Sequence, residues 1–468
     1  MIIHYPEKGS WVAQLKPEQR PSFTFVIERA GVLLISEVSA GKTYISMAAL
    51  EYLTPTLTLV VAPLTSLDIT WSPKLRSLNA SLHRDWEGFK AARRKPGRHI
   101  LLIHFQLFAK LAKKLEGVSW SMVIIDESQG IKDRASQASR AARRMRHATR
   151  RLALSATPLD KTPIDIFAQM RFVDHTVLGE DFADFKSEFT YEGGFKGYEL
   201  KFRPEKLPAL LKRLEGHIFR LDKGFLKLKP IHVHMVPVQL LGEQRRLYEQ
   251  MAEHGIVQIN GTAIPAPLKV SREVKLQQIT GGTIKEKYIE EKKLRWRSHH
   301  IGNAKARKLS WLLSKIDPPV VIFCKYLAEI PLIEKACAAA PGCRPARIRV
   351  LTGGVVGDER TDLINIFQAG GVDYLICQMR TGGVSIELTA ASTLIFYSMN
   401  FSLIDFEQVC GRFHRGSQTR EVNVYVLYAT DTIDQEIADQ IEAKKETFFS
   451  VVRHFTQSPV PPNVEPAR

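Results

Sequence analysis

The sequence predicts an α/β protein of two tandem lobes, each built on a parallel β-sheet. Three observations carry that prediction. The 468 residues suit two large or three ordinary domains. A hydrophobic share of 44% with 25% charged residues is globular, and excludes a fibrous or mainly disordered chain. Short apolar runs alternate with helical patterns in two separate series, and continuously apolar strands are those buried on both faces of a sheet.

In the first series, strands are expected at Val32–Ile35, Leu57–Ala62, Ile100–Ile103, Met122–Ile125 and Leu152–Leu154, with helical stretches at Tyr44–Leu53 and Ser136–His147. The second series holds Pro319–Phe323, Ile348–Leu351, Tyr374–Cys377, Leu394–Tyr397 and Val422–Leu427. Between them lies a Lys- and Gly-rich segment, broken at Pro265-Ala-Pro267, with the charged run Lys285 to Arg297. That composition reads as a helical linker or insertion, its charged faces either solvated or turned to a polyanion. The expected division is 1–222 for lobe one, 223–300 for the linker, 301–452 for lobe two and 453–468 for a proline-rich, disordered tail.

Sixty-six Lys and Arg against 49 Asp and Glu leave a net charge of +17, which suits a polyanionic partner such as nucleic acid. No run approaches the roughly 18 apolar residues of a membrane span, and the opening Met1-Ile-Ile-His lacks the layout of a signal peptide. Five cysteines without a CxxC pair point to a reducing compartment, hence the cytoplasm.

Four local patterns carry chemistry. Val32 to Thr43 is an apolar strand, a turn and Ala40-Gly41-Lys42-Thr43 opening a helix, with Ser36 where the full phosphate-loop pattern has glycine. Such a turn aims backbone N–H groups at phosphate, with Lys42 on the β/γ-phosphates and Thr43 on Mg²⁺. Met122 to Gln129 is a strand ending in Asp126-Glu127; phosphoryl transfer needs one carboxylate for Mg²⁺ and one group to orient the attacking water. Leu152 to Pro158 ends a strand in Ser155-Ala156-Thr157. Phe406 to Gln418 carries Arg412 and Arg415, expected on one helix face, where arginines can stabilise a transferring phosphoryl group.

This ordered set resembles the Swi/Snf-like group of superfamily two helicases and translocases. Leu15 to Gln19 is similar to the adenine-reading Q motif, Ser39 to Thr43 to motif I, Val60 to Leu67 with Trp71 to motif Ia, and Ile103-His104-Phe105 to motif Ib. Asp126 to Gln129 resembles motif II and Ser155 to Thr157 motif III, with a close match continuing from Leu159 to Asp174. In the second half, Val320 to Tyr326 resembles motif IV, Leu351 to Gly353 motif IVa, Ile376 to Thr389 motif V and Gln408 to Gln418 motif VI.

The resemblance implies two RecA-like lobes with ATP and Mg²⁺ in the cleft. It implies catalytic roles for Lys42, Asp126, Glu127, Gln129, Arg412 and Arg415, and nucleotide contacts at Gln19, Ser39, Ala40, Gly41, Lys42, Thr43, Gly383, Glu387 and Gln408. Thr43 and Asp126 would hold the metal; Pro63, Thr65, Phe105, Lys325, Gly353, Gln378 and Thr381 would hold the nucleic-acid backbone, with the basic runs Lys90–Arg98 and Arg140–Arg151 as a further track. The implied activity is an ATP-dependent motor on double-stranded or branched DNA, RNA being the lesser alternative, in a bacterial or phage-infected cytoplasm. Two other readings stay open: a strand-separating or branch-migrating helicase, and an ATP-binding switch, motivated by Ser36 and Ser39.

Overall fold

The computed structural model describes residues 9–37, 40–159, 162–179, 181–193, 199–222, 224, 228–291, 293–379, 386–400 and 402–440. Ser39, Thr381, Gly383 and the 453–468 tail lie outside them. The chain parts at 227/228 into two compact units.

The first unit holds β1 (Gly31–Ser36), β2 (Leu57–Ala62), β3 (Ser81–His83), β4 (His99–His104), β5 (Met122–Asp126), β6 (Arg150–Ser155), the antiparallel pair β7 (Thr190–Gly193) and β8 (Glu199–Phe202), and β9 (Ile218–Leu221). Seven strands form one sheet in the order β3-β4-β2-β5-β6-β1-β9, every neighbour parallel. All six residues of β1 and all five of β5 are buried, as a strand covered on both faces requires. The helix Lys42–Leu53 buries Ile45, Met47, Ala48, Ala49 and Leu50 against the same core as Val32, Leu34, Ile124 and Leu154.

The second unit begins with β10 (Ile231–Val238), followed by the hairpin β11 (Ile256–Ile259) and β12 (Thr262–Pro265), and the hairpin β13 (Thr283–Glu290) and β14 (Lys293–His300). Then come β15 (Val320–Cys324), β16 (Ile348–Leu351), β17 (Tyr374–Gln378), β18 (Thr393–Phe396) and β19 (Val422–Ala429). Six of these form a second parallel sheet, β10-β19-β18-β15-β17-β16. The expected two α/β lobes are present.

Three expectations need correction. The described part of the 223–300 segment, expected as a helical linker or insertion, does hold two helices, Gly242–His254 and Lys269–Thr280, but it also holds β10, an edge strand of the second sheet in register with β19 from Ile231↔Val422 to Val238↔Ala429. The run Lys285–Arg297, expected as helix, is mostly strand within the β13–β14 hairpin. Its Lys and Glu content favours helix, but cross-strand pairs such as Tyr288↔Arg295 and Ile289↔Leu294, and a stem buried at Thr283, Ile284 and Glu286, outweigh propensity. Finally, the helix Leu403–Phe413 stops before Arg415, so Arg412 and Arg415 do not share its face. His414 caps it while its ring bonds the Lys229 carbonyl at 2.7 Å, and Arg415 Nε turns back to the Gly411 carbonyl at 3.2 Å.

Candidate functional site

In a parallel sheet, ligands gather at the carboxyl ends of the strands. In the first unit, Lys42 follows β1, Pro63 and Thr65 follow β2, Phe105 follows β4, Asp126 ends β5 and Ser155 ends β6. Strand order sorts them: β5, β6 and β1, with the phosphate-type residues, are contiguous, and β2 and β4, with the expected nucleic-acid residues, lie to one side.

The phosphate turn is braced from outside. Gly41 has φ +103°, open to glycine, and a Cβ there would meet Gln19 Nε2 at 2.1 Å. Gln19 is buried; its Nε2 donates to the Ala40 carbonyl at 2.8 Å and its Oε1 accepts from Lys16 N–H at 3.0 Å. Ser36 is the buried last residue of β1, placed in the sheet rather than in the turn.

From Lys42 a relay of side chains crosses three strands. Lys42 Nζ is 3.3 Å from Glu127 Oε1; Gln129 Nε2 donates to Glu127 Oε2 at 2.7 Å; Ser155 Oγ donates to Gln129 Oε1 at 2.7 Å and accepts from Thr157 N–H at 3.0 Å. Motifs I, II and III thus meet in one hydrogen-bonded line. Glu127 takes a left-handed backbone, φ +53°, a conformation of some cost that turns the chain off β5.

Asp126 points the other way. Its Oδ2 accepts from the Trp71 indole N–H at 2.8 Å and its Oδ1 from Glu127 N–H at 3.0 Å. Burial and the neighbouring Glu127 charge push its carboxyl up to about 6, against the opposing pull of Lys42 and Trp71. Two lone-pair directions of a carboxylate remain beyond those two donors, so its chemistry fits a divalent cation. Trp71 stands in the segment after β2, which also carries Pro63 and Thr65. The sequence placed Trp71 in that segment, but not against Asp126, 55 residues away. A second brace was unforeseen: Ser128 Oγ donates to Gln169 Oε1 at 2.7 Å, and Gln169 Nε2 to the Pro158 carbonyl at 2.6 Å. Thr65 Oγ1 is buried without a hydrogen-bond partner.

The basic run Arg140–Arg151 is partly structural. Arg150 donates to the Ile27 and Arg29 carbonyls at 2.7 and 2.9 Å, and Arg151 to Val173 at 2.9 Å.

In the second unit, Lys325, Gly353 and Gln378 follow or end adjacent strands; the register pairs Cys324 with Gln378 and Leu351 with Cys377. Lys325 Nζ bonds Gln277 Oε1, and Lys325 N–H donates to Ser398 Oγ at 2.8 Å. Glu387, expected at the nucleotide, is held by Ser417 Oγ and, at 3.3 Å, by Thr389 Oγ1. Burial draws the Arg415 guanidinium down from its ordinary value, and the Glu387 charge opposes that shift. Gln408 and Arg412 are half-buried on one helix.

Comparison with known proteins gives two family matches: an SNF2-related domain over residues 10–288 and a helicase conserved C-terminal domain over residues 304–417. A Bacillus subtilis protein named as an ATP-dependent helicase/translocase is 25% identical over 470 residues, covering 93% of this chain and 48% of its own length. The transcription regulatory protein SNF2 of Saccharomyces cerevisiae is 24% identical over 457 residues, covering 90% of this chain and 26% of its own. The chain therefore spans about half or less of these relatives. The Sulfolobus solfataricus SWI2/SNF2 ATPase core, solved with dsDNA, is similar with a TM-score of 0.43 and 22% identity, over 96% of this chain and 95% of that one. Since the first match alone covers more than half of its residues, the chain belongs to the SNF2-related family.

Proposed function

We propose that the chain is an ATPase driven by DNA, turning hydrolysis into movement along double-stranded or branched DNA. The observation that carries this is the Lys42–Glu127–Gln129–Ser155 relay with Trp71 on Asp126. Family membership, the relatives' names and the +17 charge support it.

Lys42 neutralises the β/γ-phosphates. Its pair with Glu127 is loose at 3.3 Å, so a phosphate that takes Lys42 frees Glu127 to orient and deprotonate water, with Gln129 holding the carboxylate in place. Asp126 and Thr43 are the residues that would hold Mg²⁺, together with phosphate oxygens. When bound, the ion would supply charge neutralisation at the phosphate oxygens. Trp71 makes Asp126 the point where the nucleotide site reaches the Pro63–Thr65 segment, one route from phosphate state to grip on DNA. Arg412 and Arg415, in the second unit, are the arginines we assign to stabilising the charge on the transferring phosphoryl group. Backbone contacts at Pro63, Thr65, Phe105, Lys325, Gly353 and Gln378 carry no base information, as movement along any sequence requires. We place the protein in a bacterial or phage-infected cytoplasm, which its five free cysteines suit.

The test is ATP hydrolysis with duplex, forked or single-stranded DNA, or RNA. Stimulation by duplex or forked DNA is expected. Glu127→Gln should lower turnover by about 10²–10⁴-fold while DNA binding survives. Unchanged turnover in Arg412→Ala would remove that arginine role.

A further inference from the structure

The β13–β14 hairpin has two unlike faces. Directly opposed residues share a face, so the register puts Lys285, Lys287 and Ile289 with Ser298, Trp296 and Leu294 on one side. None of these six is acidic and all six are exposed, Ile289 by 76%, Trp296 by 51% and Leu294 by 50%, while Thr283, at the root of the same side, is buried. The other side holds the stem: Ile284 and Glu286 are buried, and Glu286 pairs with His299 at 2.5 Å. Over 283–300 the chain has six Lys or Arg against three Glu.

An isolated two-stranded ribbon is marginal in water, yet this one is anchored at its root. Gln278 Oε1 accepts from Lys285 N–H at 3.0 Å, and Lys275 Nζ donates to the Lys285 carbonyl. Both come from the helix Lys269–Thr280, whose Gln277 also receives Lys325 of motif IV. A held stem thus presents an outer face where Lys285 Nζ lies 4.5 Å from the centre of the Trp296 ring and Lys287 stands opposite that tryptophan. A solvated charged ribbon has no use for three exposed apolar side chains beside Lys285 and Lys287, on the face whose paired residues include no acid. Cations around an open aromatic ring match a phosphate backbone whose bases are free to stack.

We propose that this face is a binding surface for an unpaired nucleic-acid strand, with Trp296 stacking on a base and Lys285 and Lys287 neutralising the adjacent phosphates. It rests on the proposed reading of the chain as a DNA-driven ATPase, and adds to it a grip on the single-stranded arm of a branched substrate. Duplex, whose bases are already stacked, offers the ring no free partner.

The experiment is anisotropy titration of the full chain with labelled oligothymidylate, forked DNA and blunt duplex at several salt concentrations, alongside DNA-stimulated hydrolysis. Trp296→Ala should weaken binding to oligothymidylate and to the fork by about tenfold, leave duplex binding within about twofold, and recover largely in Trp296→Phe. A Lys285→Ala/Lys287→Ala double variant should flatten the salt slope on oligothymidylate by about 1.4. Unchanged single-strand and fork affinity in both variants overturns the proposal. So does equal loss on duplex, which would make the hairpin part of a duplex track, or preference for an acidic protein over all three DNAs. If the unaltered chain binds DNA without stimulated hydrolysis, the motor reading fails, and selective loss in Trp296→Ala still upholds the hairpin.

Discussion

Each unit carries buried carboxylates near its parallel sheet, and the two clusters differ in what they leave unspent. In the first, Lys42 and Glu127 keep side-chain exposures of 11% and 27% and meet at 3.3 Å, while Asp126 has one donor on each oxygen. In the second, Lys305 and Asp434, exposed by only 1% and 9%, meet at 2.6 Å. Lys305 Nζ also donates to the Tyr397 carbonyl at 2.9 Å, and Asp434 accepts from Thr280 Oγ1 and Ala429 N–H at 2.9 and 3.2 Å. Beside them Glu329 is wholly buried, its Oε2 accepting from Ser398 Oγ and Tyr326 N–H, its Oε1 so close under Gly281 that a Cβ there would sit 2.1 Å away. Burial pushes Glu329 up to about 7 and Asp126 up to about 6. A shifted carboxyl therefore does not by itself mark a site. Loose pairing and remaining exposure do: the first cluster can accept a ligand, and the second ties Thr280, Tyr397 and Ala429 together.

The largest effect should separate the lysines. Lys305→Ala leaves Asp434 buried and uncompensated, and should cost about 3–5 kcal/mol in urea denaturation. Lys42→Ala, at a looser and more open pair, should cost about 0–1 kcal/mol and instead lower hydrolysis by at least ~100-fold. Equal destabilisation by both would break the comparison.

A middle-sized effect lies in pH. Both raised carboxyls bind protons more tightly in the folded chain than in the unfolded one, so burial of the charge weakens the fold at neutral pH. Thermal stability without nucleotide should rise as pH falls, through the window below about 7 for Glu329 and below about 6 for Asp126. At the proposed site Mg²⁺ and ATP would compete with the Asp126 proton, so nucleotide affinity should drop below about pH 6. Asp126→Asn should erase the lower part of the stability profile and leave the Glu329 part; a profile unchanged by Asp126→Asn would sink the assignment.

The smallest effect sharpens the contrast. Glu329→Gln keeps an acceptor for Ser398 and Tyr326 N–H and should change stability by less than about 1 kcal/mol at pH 7, with hydrolysis unaffected. The same substitution at Glu127 would remove the proposed base. If Glu329→Gln lowered turnover as Glu127→Gln does, the second cluster would not be merely structural.

Much of this was legible beforehand. Strands such as β2 and β5 are runs of apolar residues with no exposed face, and residues that end them, Asp126 and Ser155, are chemically conspicuous. The hairpin was not legible, because Lys and Glu promise a helix locally and only pairing across the ribbon, with a buried stem, reverses that preference. Nor was the use of Arg150 and Arg151 on backbone carbonyls, since charge in a sequence does not say whether a guanidinium faces solvent or closes a helix end.

By itself the sequence determined the class of fold, the phosphate-type turn at Gly41–Thr43, the acidic pair and the basic balance, because periodicity and residue chemistry act within a few residues. The tertiary structure alone decided the strand order β2-β5-β6-β1, and with it the meeting of Lys42, Glu127, Gln129 and Ser155 and of Trp71 with Asp126. Those contacts join residues tens of positions apart, and which side chains meet at a sheet's edge follows from how strands pack, a property of the whole unit that no local stretch encodes.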